Sequence, residues 1–336
     1  MLLGIDLGTD TIKICDKNNK IMIAEKNMIA IRDGLQVIGI GDDAYEMYEK
    51  TPVNVHAGCP MMHGAIADAK NMELLLVGLL RRCSSLLPVH PTIYIAVPSD
   101  ISAVEKRAYY NVLSGNIKAK KICLVDKGVA DAIGIGLPID VPVGNMIVNM
   151  GADTTDISVL TGGQILLSKM LQFGGRKLDE DISTMVRRMF QLNIGMRTAD
   201  KLKNALAYII DGPAASLEVY GISTVSGLPK SAVIPSLSVS VCIMETIDNI
   251  VQNIKSTLNR IPPQFLADIR KNGIYLSGGV SGIPNLAEYM RRELEVPIYL
   301  VREPVTSTLR GLLAIMNHKE LESCTYSLKD LTGNTI

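Results

Sequence analysis

The sequence predicts an α/β protein of two related lobes, each built from a mixed sheet with flanking helices. Three observations lead to this prediction. A glycine motif, Asp6-Leu7-Gly8-Thr9-Asp10-Thr11, recurs with one change as Asn149-Met150-Gly151-Ala152-Asp153-Thr154. Strand-like and helix-like segments alternate after each copy. The length of 336 residues favours two domains over one small core.

The first half opens with strands. Apolar or alternating runs predict strands at residues 2–5, 11–15, 21–24, 28–31 and 37–40, with turns at Asn18-Asn19 and Asp33-Gly34 between them. Helical spacing then predicts a helix over residues 71–83, and a β-branched run predicts a strand over residues 92–97. Ser99 and Asp100 are expected to cap a helix with Val104, Ala108 and Val112 on one face.

The second half repeats this plan. Hairpins are predicted between residues 146 and 171, and helices around residues 179–190 and 198–209. A strand-rich insert at about residues 215–241 leads into a long helix over residues 244–259. A strand at residues 273–276 ends in Ser277-Gly278-Gly279, and a further helix is expected to begin near Pro284.

Composition excludes several classes of function. Lys and Arg number 34, as do Asp and Glu, so no general nucleic-acid surface is expected. The six cysteines form no Cys-x-x-Cys pair and the four histidines are dispersed, so we expect reduced thiols of a cytosolic protein and no metal-binding motif. We expect neither a signal peptide nor a membrane-spanning helix, because no apolar run approaches the length that a bilayer requires.

The duplicated motif is of a kind that can bind phosphate. A strand, a tight glycine turn and a returning strand form a hairpin whose backbone N–H groups can approach phosphate oxygens closely. Two such hairpins facing each other would hold a polyphosphate from both sides. The first copy begins with the carboxylate of Asp6, whereas the second begins with the amide of Asn149.

These motifs resemble a known family. Gly4-Ile5-Asp6-Leu7-Gly8-Thr9 is similar to the first phosphate motif of the actin, heat-shock chaperone and sugar-kinase superfamily. Further stretches resemble the MreB family of bacterial actins: Thr51-Pro52-Val53-Asn54, Gly64-Ala65-Ile66-Ala67-Asp68, Val97-Pro98-Ser99, Ala130-Asp131-Ala132-Ile133-Gly134-Ile135-Gly136-Leu137-Pro138, Gly227-Leu228-Pro229 and Ser277-Gly278-Gly279. The resemblance covers nearly the whole chain in order.

The resemblance implies an actin-like fold with a nucleotide cleft between two lobes. The first lobe would comprise residues 1–142 and 310–336, with a small subdomain at about 32–74. The second would comprise residues 143–309, with a small subdomain at about 177–243. ATP and Mg²⁺ are the implied cofactors.

The resemblance also implies roles for individual residues. Asp6 would lie near Mg²⁺. The phosphates would be wrapped by Gly8, Thr9, Asp10, Thr11, Gly151, Asp153, Thr154 and Thr155. Lys13 stands where conventional actins carry a phosphate-binding lysine, although an alternating strand would equally leave it exposed. The adenosine would lie against Asp200, Lys203, Gly278, Gly279 and Val280. Asp200 and Lys203 also suit an ordinary helix surface, because an i, i+3 pair needs no ligand.

Three departures from the family pattern concern catalysis. Asn149 replaces a second aspartate for Mg²⁺ and water, and Lys127-Gly128 replaces the Glu-Pro pair whose glutamate acts on the attacking water. Ala152-Asp153 replaces Gly-Gly beside the γ-phosphate. Loss of a general base typically costs about 10²–10⁴-fold in rate. We therefore expect weak or lost hydrolysis, unless Asp126 takes over through a one-residue shift in alignment.

A membrane contact is also implied. No amphipathic N-terminal segment is expected, because the first strand begins at Leu2. Leu86 and Leu87 lie where the family presents a short apolar loop. Each buried leucine would contribute about 1.5–3 kcal/mol, so attachment would need the many copies in a filament. The alternative is that both leucines pack into their own lobe.

The expected function is that of an ATP-binding cytoskeletal protein in the cytoplasm. It would form homopolymer filaments at the inner face of the cell membrane and organise cell shape or wall synthesis. Other MreB-type proteins and the wall-synthesis machinery are candidate partners, and no nucleic acid is expected. Two alternatives stay open: a non-polymerising nucleotide-binding regulator of MreB filaments, and a small-molecule phosphotransferase.

Overall fold

The computed structural model describes residues 1–18, 21–83 and 90–328. The chain divides into two compact units. The first contains Met1–Val143, Ser158–Met170 and Val305–Ile336, and the second contains Gly144–Ile157 and Leu171–Pro304.

The secondary structure alternates between strands and helices, as predicted. The strands are β1 (Leu2–Leu7), β2 (Thr11–Asp16), β3 (Ile21–Lys26), β4 (Ile29–Arg32), β5 (Gln36–Ile40), β6 (Val55–Gly58), β7 (Met61–Met62), β8 (Ala65–Ile66), β9 (Thr92–Val97), β10 (Lys121–Asp126), β11 (Asn145–Met150), β12 (Thr155–Thr161), β13 (Gln164–Leu171), β14 (Leu192–Asn193), β15 (Ser216–Ser223), β16 (Pro229–Pro235), β17 (Ile274–Ser277) and β18 (Ile298–Leu300). The helices are α1 (Asp42–Met47), α2 (Ala69–Cys83), α3 (Ala103–Ser114), α4 (Lys127–Gly134), α5 (Gly175–Phe190), α6 (Met196–Leu206), α7 (Ser236–Leu258), α8 (Pro263–Asn272), α9 (Leu286–Leu294) and α10 (Ser307–Asn317), with short 3₁₀ helices at Gly279–Gly282 and Lys319–Cys324.

Two five-stranded sheets have the same topology. Their orders are β10-β9-β1-β2-β3 and β13-β12-β11-β17-β18. In the first sheet β1 runs antiparallel to β2 and parallel to β9. In the second sheet β11 runs parallel to β17, which runs parallel to β18. The glycine motif is therefore duplicated together with the strands around it.

The first unit has apolar cores on both faces of its sheet. One face packs against α2 and α3, with Leu75, Leu79 and Val112 against Ile5 and Ile95. The other face packs against α4 and α10. A smaller core lies beneath α1 and the sheet β5-β4-β6.

Helix α3 begins later than predicted. Its N-cap is Ser102, and a capping box joins Ser102 and Glu105. Ser99 and Asp100 were the predicted caps, and that prediction is wrong. Val104 of the predicted stripe is 77% exposed, whereas Val112 of that stripe is buried together with Tyr109 and Leu113. The capping box satisfies two helix-end N–H groups at once, which explains why Ser102 is preferred.

Helix α7 begins earlier than predicted. Residues 236–241 were assigned to the strand-rich insert, but they form the first turns of α7. Ser236 and Ser240 are buried with Val239 and Ile243, at helical spacing. The Ser240 hydroxyl accepts the Tyr208 N–H at 3.1 Å. These tertiary hydrogen bonds explain how buried serines are accommodated in a segment whose alternating pattern is typical of a strand.

Candidate functional site

The first hairpin brings Asp6 and Lys13 together. They are cross-strand partners in β1 and β2, and Lys13 Nζ lies 3.2 Å from Asp6 Oδ2. The two side chains are only 15% and 9% exposed, for Lys13 and Asp6 respectively. Lys13 is therefore a mostly buried cation against the Asp6 carboxylate, at the base of the glycine turn.

The turn itself is tight. A Cβ atom on Gly8 would lie 2.6 Å from the Thr11 carbonyl oxygen, so only glycine fits there without a shift. The Asp10 carboxylate accepts the Thr11 hydroxyl at 2.8 Å and the Lys26 ammonium at 2.9 Å. The Asp10 carboxylate is therefore engaged within the first hairpin and with the end of β3.

The carbonyl groups of this turn are held by hydrogen bonds. The Asn27 side-chain amide donates to the Gly8 carbonyl at 2.9 Å, and the Asn27 N–H donates to the Asp10 carbonyl at 2.8 Å. The Cys59 thiol donates to the Thr9 carbonyl at 3.3 Å. Three successive carbonyl oxygens are thus fixed by neighbouring structure, which restricts the orientation of the peptide N–H groups between them. Sequence reasoning missed Asn27 and Cys59, because neither lies near the motif in sequence.

The β10–α4 corner carries the catalytic candidates Asp126 and Lys127. Asp126 ends β10, and Lys127 is the first residue of α4. The Tyr326 hydroxyl donates to Asp126 Oδ1 at 3.0 Å, and Lys106 Nζ lies 3.5 Å from the same oxygen. Burial and the Asp126 carboxylate raise the pKa of Tyr326, so its hydroxyl stays protonated and can donate. These contacts engage Asp126 in a local polar cluster.

Packing explains why residue 128 is glycine. A Cβ atom at this position would overlap the side chain of Ser158, which is 2% exposed. The proline that the family pattern places here would require the same space. The substitution of Glu-Pro by Lys127-Gly128 therefore fits the local packing against β12.

The second hairpin repeats the turn with an amide at its start. Asn149 is 5% exposed and pairs with Ser277 of β17. The Gly151 N–H donates to the Thr154 carbonyl at 2.8 Å and closes the turn. The Thr155 hydroxyl donates to the Phe173 carbonyl at 3.0 Å. Asp153 lies in the turn and is partly exposed.

The N-terminus of α5 lies on this turn. The Gly175 N–H donates to the Gly151 carbonyl at 3.0 Å, and the Arg176 N–H donates to the Ala152 carbonyl at 2.6 Å. Two N–H groups that a helix start leaves without intrahelical partners are thereby satisfied. The sequence signal for this contact was the glycine pair Gly174-Gly175, which our residue predictions did not include.

Lys203 connects α5 with α6. Its ammonium lies 2.7 Å from Asp179, 3.0 Å from Asp200 and 3.2 Å from the Gly175 carbonyl. The Lys203 and Asp179 side chains are 12% and 9% exposed, whereas that of Asp200 is 39% exposed. Asp200 and Lys203 were predicted site residues, while Asp179 was not. The ion pair with Asp179 fixes Lys203 beside the start of α5.

The turn after β17 completes this group. Gly278 has φ 82° and ψ 163°, a conformation that essentially only glycine adopts. A Cβ atom there would overlap the Met150 carbonyl oxygen. A Cβ atom on Gly175 would lie 3.4 Å from both Lys203 Nζ and Val280 Cγ2. The second hairpin, the start of α5, Lys203 and the Gly278–Val280 turn therefore converge in the second unit.

The chemistry of these groups fits a nucleotide. Gly8 and Gly278 lack side chains where backbone must approach closely, and Lys203 supplies a cation beside a glycine turn. In the first unit, Asp6 and Thr11 carry carboxylate and hydroxyl oxygens of the type that Mg²⁺ prefers, and in the second unit Asn149 carries an amide oxygen of that type. Within the described residues no cluster of three or more His, Cys, Asp or Glu side chains is arranged to hold a metal. Mg²⁺ commonly binds through one or two carboxylates and the substrate phosphates, so the Asp6 carboxylate by itself is a suitable protein ligand for it.

Two residues were predicted to contact the membrane. Leu86 and Leu87 lie outside the residues that the structure describes. No helix in the described ranges combines the length and apolar character needed to cross a bilayer.

Comparison with known proteins confirms the resemblance to the MreB family. The sequence model of the MreB/Mbl protein family matches residues 1–323. The cell shape-determining protein Mbl of Bacillus subtilis is 31% identical over 321 residues, covering 95% of this chain and 96% of the relative. MreB of Escherichia coli K12 is 30% identical over 317 residues, covering 92% and 91%.

Solved structures support the fold. MreB5 of Spiroplasma citri bound to AMPPNP has a TM-score of 0.90 at 25% identity, covering 96% of this chain and 98% of that one. The MamK double helical filament has a TM-score of 0.78 at 21% identity, covering 94% and 98%. The predicted actin-like α/β fold is confirmed by these likenesses.

Proposed function

Because this chain belongs to the MreB/Mbl family of cell shape-determining proteins, we propose that it is an ATP-binding actin-like cytoskeletal protein. It assembles into filaments at the inner face of the cell membrane and organises cell shape or wall synthesis. The observation that carries the nucleotide part is the convergence of a glycine hairpin, the start of α5, Lys203 and the Gly278–Val280 turn. MreB5 of Spiroplasma citri, of nearly the same fold, was solved with AMPPNP and with ADP.

In this proposal, different residues contact different parts of the magnesium nucleotide. The family resemblance implies that backbone N–H groups of each glycine turn would contact phosphate oxygens and that the Asp6 carboxylate would contribute to the Mg²⁺ side. Lys203, fixed by Asp179, and the Gly278–Val280 turn support the nucleoside. Mg²⁺, when bound, would neutralise phosphate charge. The adenosine role of Asp200 follows from the resemblance and from its ion pair with Lys203.

Hydrolysis is slow or absent in this proposal. Lys127 stands where the family has a water-activating glutamate, and an ammonium there cannot accept a proton from water. Asp126 is engaged with Tyr326 and Lys106, which favours an anchoring role at the corner over that of a base. An ammonium near phosphate would strengthen ground-state binding without lowering the barrier.

Calorimetry and sedimentation test the proposal. ATP with Mg²⁺ should bind the purified protein at submillimolar concentration, and filaments should pellet and be visible by electron microscopy when ATP is added. Lys203→Met should weaken binding, whereas Lys255→Met, which removes a partly exposed lysine paired with Glu293, should not. Absence of binding up to millimolar ATP would refute nucleotide binding. Binding without any pelleting would favour the non-polymerising regulator.

A further inference from the structure

The two hairpins place their acidic residues differently. In the first hairpin the carboxylate of Asp6 lies one residue before the end of the leading strand, and the ammonium of Lys13 lies opposite it on the returning strand. Residues directly opposite each other in an antiparallel pair present their side chains on the same face. The carboxylate and the ammonium therefore flank the glycine turn together.

The second hairpin has the same register. The Gly151 N–H is bonded to the Thr154 carbonyl, and adjacent strands of a hairpin run antiparallel. Counting outward from this pair, one residue on each strand at a time, sets Asn149 opposite Asp156. An amide thus occupies the position of the leading carboxylate, and a carboxylate occupies the position of the ammonium.

Hydrogen bonds show which face carries Asp156. The Thr155 hydroxyl donates to the Phe173 carbonyl on one face of β12. Side chains alternate along a strand, so Thr154 and Asp156 lie on the other face, and the Thr154 hydroxyl is 3.4 Å from Asp156 Oδ2. Asn149 shares that face as the cross-strand partner. Asp156 is 6% exposed and Asn149 is 5% exposed, so the pair is buried directly beneath the turn.

We propose that Asp156 supplies the carboxylate of the magnesium–nucleotide site that residue 149 does not. This inference rests on the proposed nucleotide binding. Mg²⁺ is bound through oxygen ligands, one or two of them carboxylates, with water completing its shell. The amide oxygen of Asn149 is a neutral ligand, and the Asp156 carboxylate adds the negative charge from across the strand pair, directly or through a metal-bound water. The second hairpin thereby keeps a carboxylate opposite residue 149, in addition to Asp153 in the turn, although its leading aspartate is absent.

This arrangement predicts a charge swap. Asn149→Asp alone would place two carboxylates opposite each other, and like charges in that position are destabilising. Asp156→Asn alone would remove the carboxylate opposite residue 149 and leave Asp153 in the turn unchanged. The double variant Asn149→Asp/Asp156→Asn would return the charge to the leading strand and keep one carboxylate and one amide.

The experiment is an ATP titration by calorimetry with Mg²⁺ and with EDTA, on the three variants and on Asp140→Asn, an exposed carboxylate. The ratio of ATP affinity with Mg²⁺ to ATP affinity with EDTA should be about 10- to 100-fold smaller for Asp156→Asn than for the wild type. The ATP affinity measured in EDTA should stay within about twofold of the wild-type value. The double variant should recover most of the Mg²⁺ dependence, and Asp140→Asn should match the wild type. Melting temperatures measured without nucleotide show whether each variant is folded.

Four outcomes are informative. Wild-type Mg²⁺ dependence in a folded Asp156→Asn variant would overturn the inference, as would a folded double variant no better than Asp156→Asn. If Asp156→Asn does not fold, the double variant decides alone: Mg²⁺ dependence equal to the wild type supports the inference, and its loss overturns it. If the wild-type protein binds no ATP, the proposed function itself has failed.

Discussion

Removal of the Lys203 ammonium should destabilise the second unit strongly. The ammonium lies 2.7 Å from the Asp179 carboxylate, and these side chains are 12% and 9% exposed. Truncation of one partner of a buried ion pair removes the main compensation of the other charge, and such a loss typically costs about 3–5 kcal/mol. Lys203→Met keeps most of the aliphatic volume, so the loss should come chiefly from charge. The change would also release the Gly175 carbonyl, which Lys203 holds at 3.2 Å.

The assay is urea unfolding of the nucleotide-free protein, followed by circular dichroism. A double-mutant cycle with Asp179→Asn should give a coupling free energy between the two residues of about 0.5–3 kcal/mol, the range found for contacting pairs. The matched control is Lys255→Met, since Lys255 and Glu293 form an ion pair at 3.0 Å with 34% and 41% exposure. Exposed pairs contribute about 0.2–1 kcal/mol. A Lys203→Met loss no larger than that of the control, or strict additivity in the cycle, would refute the reasoning.

Three further predictions concern catalysis, the membrane and the Gly278 turn. Lys127→Glu should raise steady phosphate release, by up to about 10²–10⁴-fold for a restored base; wild-type release already equal to that of an MreB with the glutamate would contradict this. Serine at both Leu86 and Leu87 should abolish co-sedimentation of filaments with liposomes and leave assembly in solution intact; unchanged liposome binding would place the anchor elsewhere. Gly278→Ala should lower the free energy of unfolding by at least about 1–3 kcal/mol, because of backbone strain and overlap with Met150; a melting temperature equal to the wild type would contradict this.

Local signals in the sequence were sufficient to predict the two glycine hairpins. Gly8 and Gly151 each stand between an apolar strand and a returning strand, and a tight turn joining adjacent strands depends only on residues close in sequence. The register that sets Asp6 opposite Lys13 follows from the same few residues. The duplicated fold could therefore be predicted from the motif and from the alternation of elements.

Contacts between distant segments could not be predicted in this way. Tyr326 reaches Asp126 from the other end of the first unit's sequence, and Asp179 reaches Lys203 from a different helix. No periodicity within one element carries that information. The start of α7 was misassigned for a related reason, since the hydrogen bonds that accommodate Ser240 come from a separate segment.

The pairing of Tyr326 with β10 has a practical consequence. β10 is the last strand of its sheet, and the backbone of Leu124 exchanges two hydrogen bonds with Tyr326, at 2.9 and 3.0 Å. A truncation before Tyr326 would leave that stretch of β10 as an unprotected edge, and such edges recruit strands from other molecules. Shortened versions of the protein would then aggregate through this edge, and the resulting pellet would be mistaken for filaments in sedimentation assays. Preparations for assembly experiments should therefore retain Tyr326.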